Sequence, residues 1–173
     1  AVAREIAHLC AEGTLVEHPL KFHADIGQIS VSSFVTSHDT YASVGYRLEC
    51  GQNALGIATD LGCVTDEVKN GLCGCSAAVI ESNHDVDMLM TGPYPSELKR
   101  RILSSRGHLS NEACADLADC LAASGTKAFL LAHLSEINNT PELALAASQR
   151  VLFGKEVSIS VASPSDPVIL EVN

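Results

Sequence analysis

Gly107-His108-Leu109-Ser110-Asn111 is the stretch that decides how this chain folds. Glycine lets the backbone bend tightly, and Ser110 is a good N-cap for a following helix. The stretch therefore predicts an imidazole that points outward from a turn just before a helix. Similar polar segments flank it, at Glu81-Ser82-Asn83-His84-Asp85 and at Leu131-Ala132-His133-Leu134-Ser135. Each stands where an apolar run stops, which is where a layered α/β protein collects polar side chains for chemistry.

Composition sets the broad class. With 173 residues, 46% of them hydrophobic, the chain can bury a real core, and we expect one domain over 1–173. No apolar run approaches the ~20 residues that span a bilayer. The net charge of -10 argues against a wide phosphate-binding surface, although a metal can supply local positive charge in a nuclease. Seven cysteines, an odd number without framework spacing, indicate reduced thiols in a cytoplasmic protein.

The hydrophobic pattern alternates short apolar runs with amphipathic stretches, which indicates an α/β protein. The wholly apolar run 77–80 is typical of a strand with both faces covered by helices, and 127–132 is predicted as another buried strand. The predicted strands are 28–36, 44–50, 54–59, 77–80, 127–132, 156–162 and 168–172, and 14–25 is predicted as loop. The predicted helices are 3–12, 66–71, 85–90, 96–104, 111–123 and 141–153.

Three metal-competent side chains stand at the ends of predicted strands. They are His38, Asp60 and His133. Taken singly, each is more often a structural or turn residue than a ligand. Because strand ends meet at one edge of a sheet, however, we expect the three side chains to come together. Imidazole and carboxylate in combination suit zinc, manganese or iron.

His108 and Glu81 are the candidate catalytic residues. A protonated His108 could stabilise charge that develops on a scissile phosphate, or give its proton to a leaving group. Glu81 could orient that ring by accepting its other N–H. The alternative is that His108 is only part of the capping turn.

Further polar residues are candidates for the rim of the pocket: Asn83, His84, Asp85 and Asn138. Each has a structural alternative, since His84 and Asp85 could cap the next helix and Asn138 could be a plain turn residue. A basic run at Lys99-Arg100-Arg101 leads into the Gly107 turn. It is either a solvated helix face or a phosphate-binding site.

The motifs together resemble the metallo-β-lactamase superfamily, and most closely its WalJ/YycJ-like branch of bacterial hydrolases. The matching stretches cover most of 28–151: Ser37-His38-Asp39, Ala58-Thr59-Asp60-Leu61-Gly62, Glu81-Ser82-Asn83-His84-Asp85, Gly107-His108-Leu109-Ser110-Asn111, and His133-Leu134-Ser135 with Asn138-Asn139-Thr140-Pro141. The resemblance implies an αββα sandwich with two divalent transition metal ions. It also implies phosphodiester hydrolysis by a metal-bound hydroxide, on nucleic acid or a small phosphodiester, without a membrane.

By the same resemblance, His38, Asp60 and His133 fall on metal-ligand positions, Asp60 being the bridging carboxylate. His108 is similar to the catalytic histidine of tRNase Z-like and RNase J-like proteins, and Glu81 to its acidic partner. The family's His-x-His-x-Asp-His motif is absent from these 173 residues. We therefore expect a C-terminal portion of the fold whose partner is an N-terminal half. The alternatives are a glyoxalase-type thioester or lactone hydrolase and a non-catalytic fragment.

Overall fold

A computed structural model of the protein describes residues 16–170. These residues form one seven-stranded mixed sheet whose strands lie side by side in sequence order. The strands are β1 (His23–Ile26), β2 (Ile29–Val35), β3 (Val44–Cys50), β4 (Asn53–Ala58), β5 (Ala77–Glu81), β6 (Ala128–Ala132) and β7 (Ser158–Val161). The helices are α1 (Asp66–Leu72), α2 (Val86–Thr91), α3 (Ser96–Ile102), α4 (Asn111–Ala123) and α5 (Pro141–Leu152).

The directions of the strands place the beginnings of four loops at one edge of the sheet. Strands β1 to β4 pair antiparallel, whereas β4 to β7 pair parallel. Strand β2 therefore runs in the same direction as β4, β5 and β6, and all four strands end at the same edge. This is the edge at which open α/β sheets bind their ligands.

The apolar core lies on one face of the sheet, under α1, α4 and α5. Cross-strand partners share a face, and the register aligns Ala58, Ile80, Leu131 and Val161 across the four parallel strands. The first three are completely buried. Packing of helices against this face fixes the direction of the strand ends that carry the polar residues.

The opposite face of the sheet is also apolar but is only half-buried. The register places five large apolar side chains there, spread over the central strands. They are Leu48, Leu55, Ile57, Val79 and Leu130. Such a face usually packs against a further layer.

The α/β class is confirmed, and α4 covers the predicted residues without a shift. Two predictions were wrong. Strand β1 overlaps the predicted loop 14–25. Apolar Ala24 and Ile26 alternate there with polar His23 and Asp25, as in a strand, and the loop prediction missed this short alternation. The predicted strand 168–172 does not form over 168–170, the part of it that the structure describes. The predicted helix 3–12 lies outside the described residues.

None of the described helices is long and apolar enough to cross a bilayer. The six cysteines in the described part of the chain are all free thiols. Both findings agree with the composition, and cytoplasmic location stays a prediction.

Candidate metal and catalytic site

Four strand ends each deliver one titratable side chain to the same edge of the sheet. His38 follows β2, Asp60 follows β4, Glu81 is the last residue of β5, and His133 follows β6. The parallel pairing of β4, β5 and β6 brings the last three together, and the antiparallel β3 returns the chain so that β2 joins them. The sheet topology, rather than sequence proximity, assembles the cluster.

The two imidazoles predicted as metal ligands face the predicted carboxylate from both sides. Nε2 of His38 lies 3.6 Å from Oδ1 of Asp60, and Nε2 of His133 lies 3.9 Å from the same oxygen. These distances leave room for ions between a carboxylate oxygen and each ring, and a carboxylate can serve two ions. The arrangement is therefore a candidate metal centre.

The other ring nitrogens determine which tautomer each histidine adopts. Nδ1 of His38 donates to the carbonyl oxygen of Gly107 at 2.9 Å, and Nδ1 of His133 donates to Oε1 of Glu81 at 2.9 Å. A carbonyl and a carboxylate only accept, so each Nδ1 carries a proton. In the neutral rings, Nε2 then has a free lone pair, which is what a metal requires.

Glu81 is the hub of the site and is fully buried. Its Oε1 accepts from Nδ1 of His108 at 2.7 Å and from His133, and its Oε2 accepts from the amide of Leu61 at 2.5 Å. Burial by itself raises the pKa of this carboxyl. The bonds from His108, His133 and Leu61 outweigh burial and hold the pKa below its usual range.

The same contacts show which task Glu81 can perform. Glu81, His108 and His133 lie close enough to hold an ion. However, both oxygens of Glu81 already accept N–H groups, and the two imidazoles face it with their protonated Nδ1 atoms. Glu81 therefore orients the rings as a buried carboxylate partner.

Asp60 and His133 share an unfavourable backbone conformation. Their φ angles are 58° and 60°, in the left-handed region that residues with a Cβ seldom adopt. The amide of Leu61 is held by Glu81, and Nδ2 of Asn83 donates to the carbonyl of His133 at 2.8 Å. Strain of this kind persists where surrounding bonds over-determine the backbone, as they do at both positions.

Gly107 allows the His108 turn to close. A Cβ at this position would collide with the carbonyl oxygens of Arg101 and Ile102 at the end of α3. The amide of His108 donates to the Ile102 carbonyl at 3.0 Å, and the hydroxyl of Ser110 accepts from the amide of Ala113 at the start of α4. His108 thus belongs to a capping turn and also turns its ring toward Glu81.

A cleft of about 420 Å³ opens over these side chains, lined among others by His38, Asn83, Arg101, His108 and His133. Sequence reasoning missed Asp39 here. Its Oδ2 accepts from Nε of Arg101 at 2.5 Å, and the Arg101 guanidinium beside it holds the pKa of Asp39 below its usual range. The sequence signal that could have identified Asp39 is its position directly after His38.

The remaining candidates are dispersed. Asp85 caps α2, since its carboxylate accepts from the amide of Met88 at 2.8 Å, and it does not line the cleft. Asn138 is also absent from the cleft wall and is 1% exposed. His84 lines a different pocket. The residues of the basic run lie in different environments. Lys99 donates to the carbonyls of Met90 and Gly92, whereas Arg101 lines the cleft.

A buried amide network joins the segments that carry the site. Oγ of Ser82 donates to Oδ1 of Asn111 at 2.7 Å, and the two amides of Asn111 and Asn139 bond each other at 2.9 Å. Nδ2 of Asn139 also donates to the Ser82 carbonyl. Because these residues adjoin Glu81, the His108 turn and the His133 loop, the network fixes the three segments relative to one another.

Comparisons of sequence identify relatives of this chain. No family model matches it. Over 136 residues it is 42% identical to exodeoxyribonuclease YycJ of Bacillus anthracis, covering 79% of this chain and 52% of the relative. Over 135 residues it is 41% identical to exodeoxyribonuclease WalJ of Streptococcus pneumoniae, covering 78% and 50%. The chain thus spans about half the length of the curated relatives it matches.

Solved structures agree on the fold. The metallo-β-lactamase fold protein YhfI of Bacillus subtilis superposes with a TM-score of 0.68 at 13% identity, covering 94% of this chain and 59% of YhfI. Zn(2+)-bound PqqB of Methylobacterium extorquens superposes with a TM-score of 0.55 at 18% identity, covering 84% and 52%. At these identities the likeness establishes the fold.

Proposed function

We propose, on the premise that this chain has the metallo-β-lactamase fold and is related to the YycJ/WalJ branch of it, that its site serves metal-dependent hydrolysis of phosphodiester bonds in DNA. The observation that carries the proposal is the pair of imidazole Nε2 atoms that face Asp60 Oδ1. The names of the two sequence relatives, both exodeoxyribonucleases, support DNA as the substrate class.

The donor set fits divalent transition metals. His38, Asp60 and His133 would hold the ions, with Asp60 shared between two of them, and zinc, manganese and iron all accept such imidazole and carboxylate ligands. The zinc in the structural neighbour PqqB supports a divalent metal in this fold. When bound, the ions activate water and neutralise the phosphate in a chain whose net charge is -10.

The chain's own residues position and protonate the substrate. Glu81 holds Nδ1 of His108, so Nε2 is the nitrogen of that ring left for the substrate. When Nε2 carries a proton, His108 can give it to the departing sugar oxygen. Arg101 lines the same cleft, and a guanidinium suits recognition of phosphate oxygens.

A glyoxalase-type thioester or lactone hydrolase is the alternative chemistry. A thioester expels a thiolate, which needs no proton donor, and neither a thioester nor a lactone carries a phosphate for a basic side chain to bind. The ring of His108 and the guanidinium of Arg101 in one cleft therefore favour the phosphodiester.

The half-buried apolar face of the sheet supports a further proposal about assembly. Large apolar side chains such as Leu48, Ile57 and Leu130 lie on the face opposite the helices. Curated relatives, of which the matched segment is about half, carry further sequence that could form a second layer there. We propose that an N-terminal half of the fold covers this face and completes the metal shell.

Substitution of His108 tests the function. In His108→Ala, made in a protein that carries the proposed N-terminal half, we expect turnover of a DNA end or of bis(p-nitrophenyl) phosphate to fall by about 10²–10⁴-fold, the usual contribution of a positioned proton donor. Metal content, measured by emission spectrometry, should stay nearly constant. His23→Ala, in the exposed β1, is the matched control and should leave both unchanged.

Two outcomes contradict this assignment. Loss of metal together with turnover in His108→Ala would make His108 a ligand rather than a proton donor. Hydrolysis of a thioester or lactone without hydrolysis of DNA in the metal-loaded wild type would favour the glyoxalase-type alternative.

A further inference from the structure

The lining of the catalytic cleft contains two chemically different groups of side chains. One group is polar and includes Arg101, His108 and His133, to which the proposed hydrolysis assigns roles. The other group, the apolar lining, consists of four side chains: Tyr94, Leu98, Ile102 and Ile137. Nothing in the proposed hydrolysis uses the apolar lining.

Helix α3 contributes to both groups through one of its faces. Leu98, Arg101 and Ile102 follow one another at spacings of three and one, so Leu98 neighbours both of the others on the helix surface. All three line the cleft. Nε of Arg101 donates to Asp39, which fixes the direction of that side chain. The cation that suits a phosphate therefore adjoins two apolar side chains.

Core packing does not account for the apolar lining. None of the seven residues of α3 is buried against the described part of the chain. Ile137 is 49% exposed, and Tyr94, Leu98 and Ile102 are partly exposed. The apolar residues of a surface helix normally face the core, whereas those of α3 line a cleft of about 420 Å³. Accessible apolar surface beside a polar site indicates a ligand that is itself partly apolar.

The chemistry of a nucleotide restricts which part of it can cover this surface. The phosphate is anionic and suits Arg101 and the metal site. The deoxyribose is small and carries oxygen atoms around its ring. Only the nucleobase has broad apolar faces, and such faces stack on aromatic side chains whichever of the four bases is present. Tyr94 supplies an aromatic side chain in the apolar lining.

We propose that the apolar lining binds the nucleobase of the nucleotide whose phosphate lies at Arg101, with Tyr94 as the main contact. The inference rests on the proposed function, which places that phosphate in the cleft. Because α3 carries the cation and two of the apolar side chains on one face, a single nucleotide can contact both. Stacking without hydrogen bonds to the base edge gives affinity with little dependence on sequence.

Binding of mononucleotides tests the base contact without catalysis. A protein that carries the proposed N-terminal half is titrated in EDTA with 2′-deoxyadenosine 5′-monophosphate and, separately, with 2-deoxyribose 5-phosphate, which lacks the base. Amide resonances followed by ¹H–¹⁵N NMR give the two dissociation constants. We expect the nucleotide to bind about tenfold more tightly, as one stacked base allows. The thymidine nucleotide should bind within about threefold of the adenine nucleotide.

Variants identify the side chains responsible for the preference. Tyr94→Ala should reduce the preference to less than about threefold, whereas Tyr94→Phe keeps the ring and should preserve it. Ile137→Ser, at a half-exposed position, should also lower it. Phe153→Ala changes an exposed aromatic residue that does not line the cleft, so it is the matched control and should leave both constants unchanged. Binding of deoxyribose phosphate should be the same in every variant.

The inference is overturned if the two probes bind equally in the wild type, if neither binds, or if Tyr94→Ala keeps the preference. A Tyr94→Ala protein that loses thermal stability but keeps the preference would make the apolar lining a packing surface for the N-terminal half. Because the titration contains no metal and no phosphodiester, a base preference in a protein that fails to hydrolyse DNA would support the nucleobase site and overturn only the proposed function.

Discussion

Asp60 and His133 face each other at 3.9 Å between Oδ1 and Nε2, and both hold a left-handed backbone, with φ angles of 58° and 60°. Two residues with side chains thus accept a conformation suited to glycine at the point where a metal would bind. The left-handed backbone at both positions costs stability locally, where the two side-chain atoms converge.

Substitution at Asp60 measures this strain. We expect the free energy of unfolding of the Asp60→Gly protein to be about 1 kcal/mol larger than that of the Asp60→Ala protein, because only alanine retains a Cβ in the left-handed region. Both variants lose the carboxylate and should bind zinc equally weakly. Urea denaturation of the metal-free proteins gives the difference, and equal stability of the two variants would show that the position is unstrained.

Glu81→Gln should change how stability depends on pH. The hydrogen bond to Glu81 raises the pKa of His133, and burial only partly offsets it. Folding therefore favours protonated His133. The resulting stability is complete below the ordinary pKa of 6.5 and is lost as pH rises through the raised value.

In the Glu81→Gln variant this loss should disappear, and the His133 ring should titrate at lower pH by NMR. Urea denaturation between pH 5 and pH 9, in roughly half-unit steps and without metal, measures the effect. Glu97→Gln, an exposed change on α3, is the control. An unaltered His133 titration in Glu81→Gln would contradict the assigned hydrogen bond. Glu81→Gln also lowers the pKa of buried His84 further, because the charge of Glu81 partly offsets burial there, so the His133 titration is the deciding readout.

Gly107→Ala should damage the site through packing. The added methyl group meets the backbone carbonyls of Arg101 and Ile102, which cannot move aside as a flexible side chain could. We expect a loss of about 1–3 kcal/mol in the free energy of unfolding and a displaced His108 resonance.

Gly27→Ala provides the matched comparison. That glycine has a φ of 63° but open space around its missing Cβ. The change should cost about 1 kcal/mol and leave His108 unmoved. A Gly107→Ala protein with a native His108 resonance would show that the turn does not depend on this close approach.

Asn139→Ala should destabilise the protein although it touches no substrate. It leaves Nδ2 of Asn111 without its partner and exposes the Ser82 carbonyl to an apolar surrounding. Each unsatisfied buried group costs about 1–3 kcal/mol, so we expect a loss of about 2 kcal/mol or more in thermal or urea denaturation. Asn70→Ala, exposed on α1, should cost less than about 0.5 kcal/mol. Equal losses in the two variants would contradict the network.

Much of the fold was readable from local pattern. The predicted buried strands 77–80 and 127–132 correspond to β5 and β6, and Ser110 with the following periodicity placed α4 without error. These elements satisfy strong local rules of capping and hydrophobic period. Strand β1 was missed although Ala24 and Ile26 alternate with polar residues, because Pro19 and the histidines beside it favoured a loop.

The site was only partly readable. Residue type and strand-end position selected His38, Asp60 and His133, and the roles given to them remain predictions. Sequence reasoning missed the pairing of Asp39 with Arg101, residues 62 positions apart in the chain. It left Asp85 open between pocket and cap, and the cap to α2 is what the structure shows.

The sequence by itself determined most of the strands and helices and which polar residues follow them, because period, caps and turns act over a few residues. Only the tertiary structure decided that one oxygen of Glu81 serves both His108 and His133, and that His84 is buried beside a separate pocket. Those relationships depend on how four strands line up at one edge of a sheet. The alignment is set by core packing between residues distant in the chain, which local pattern does not encode.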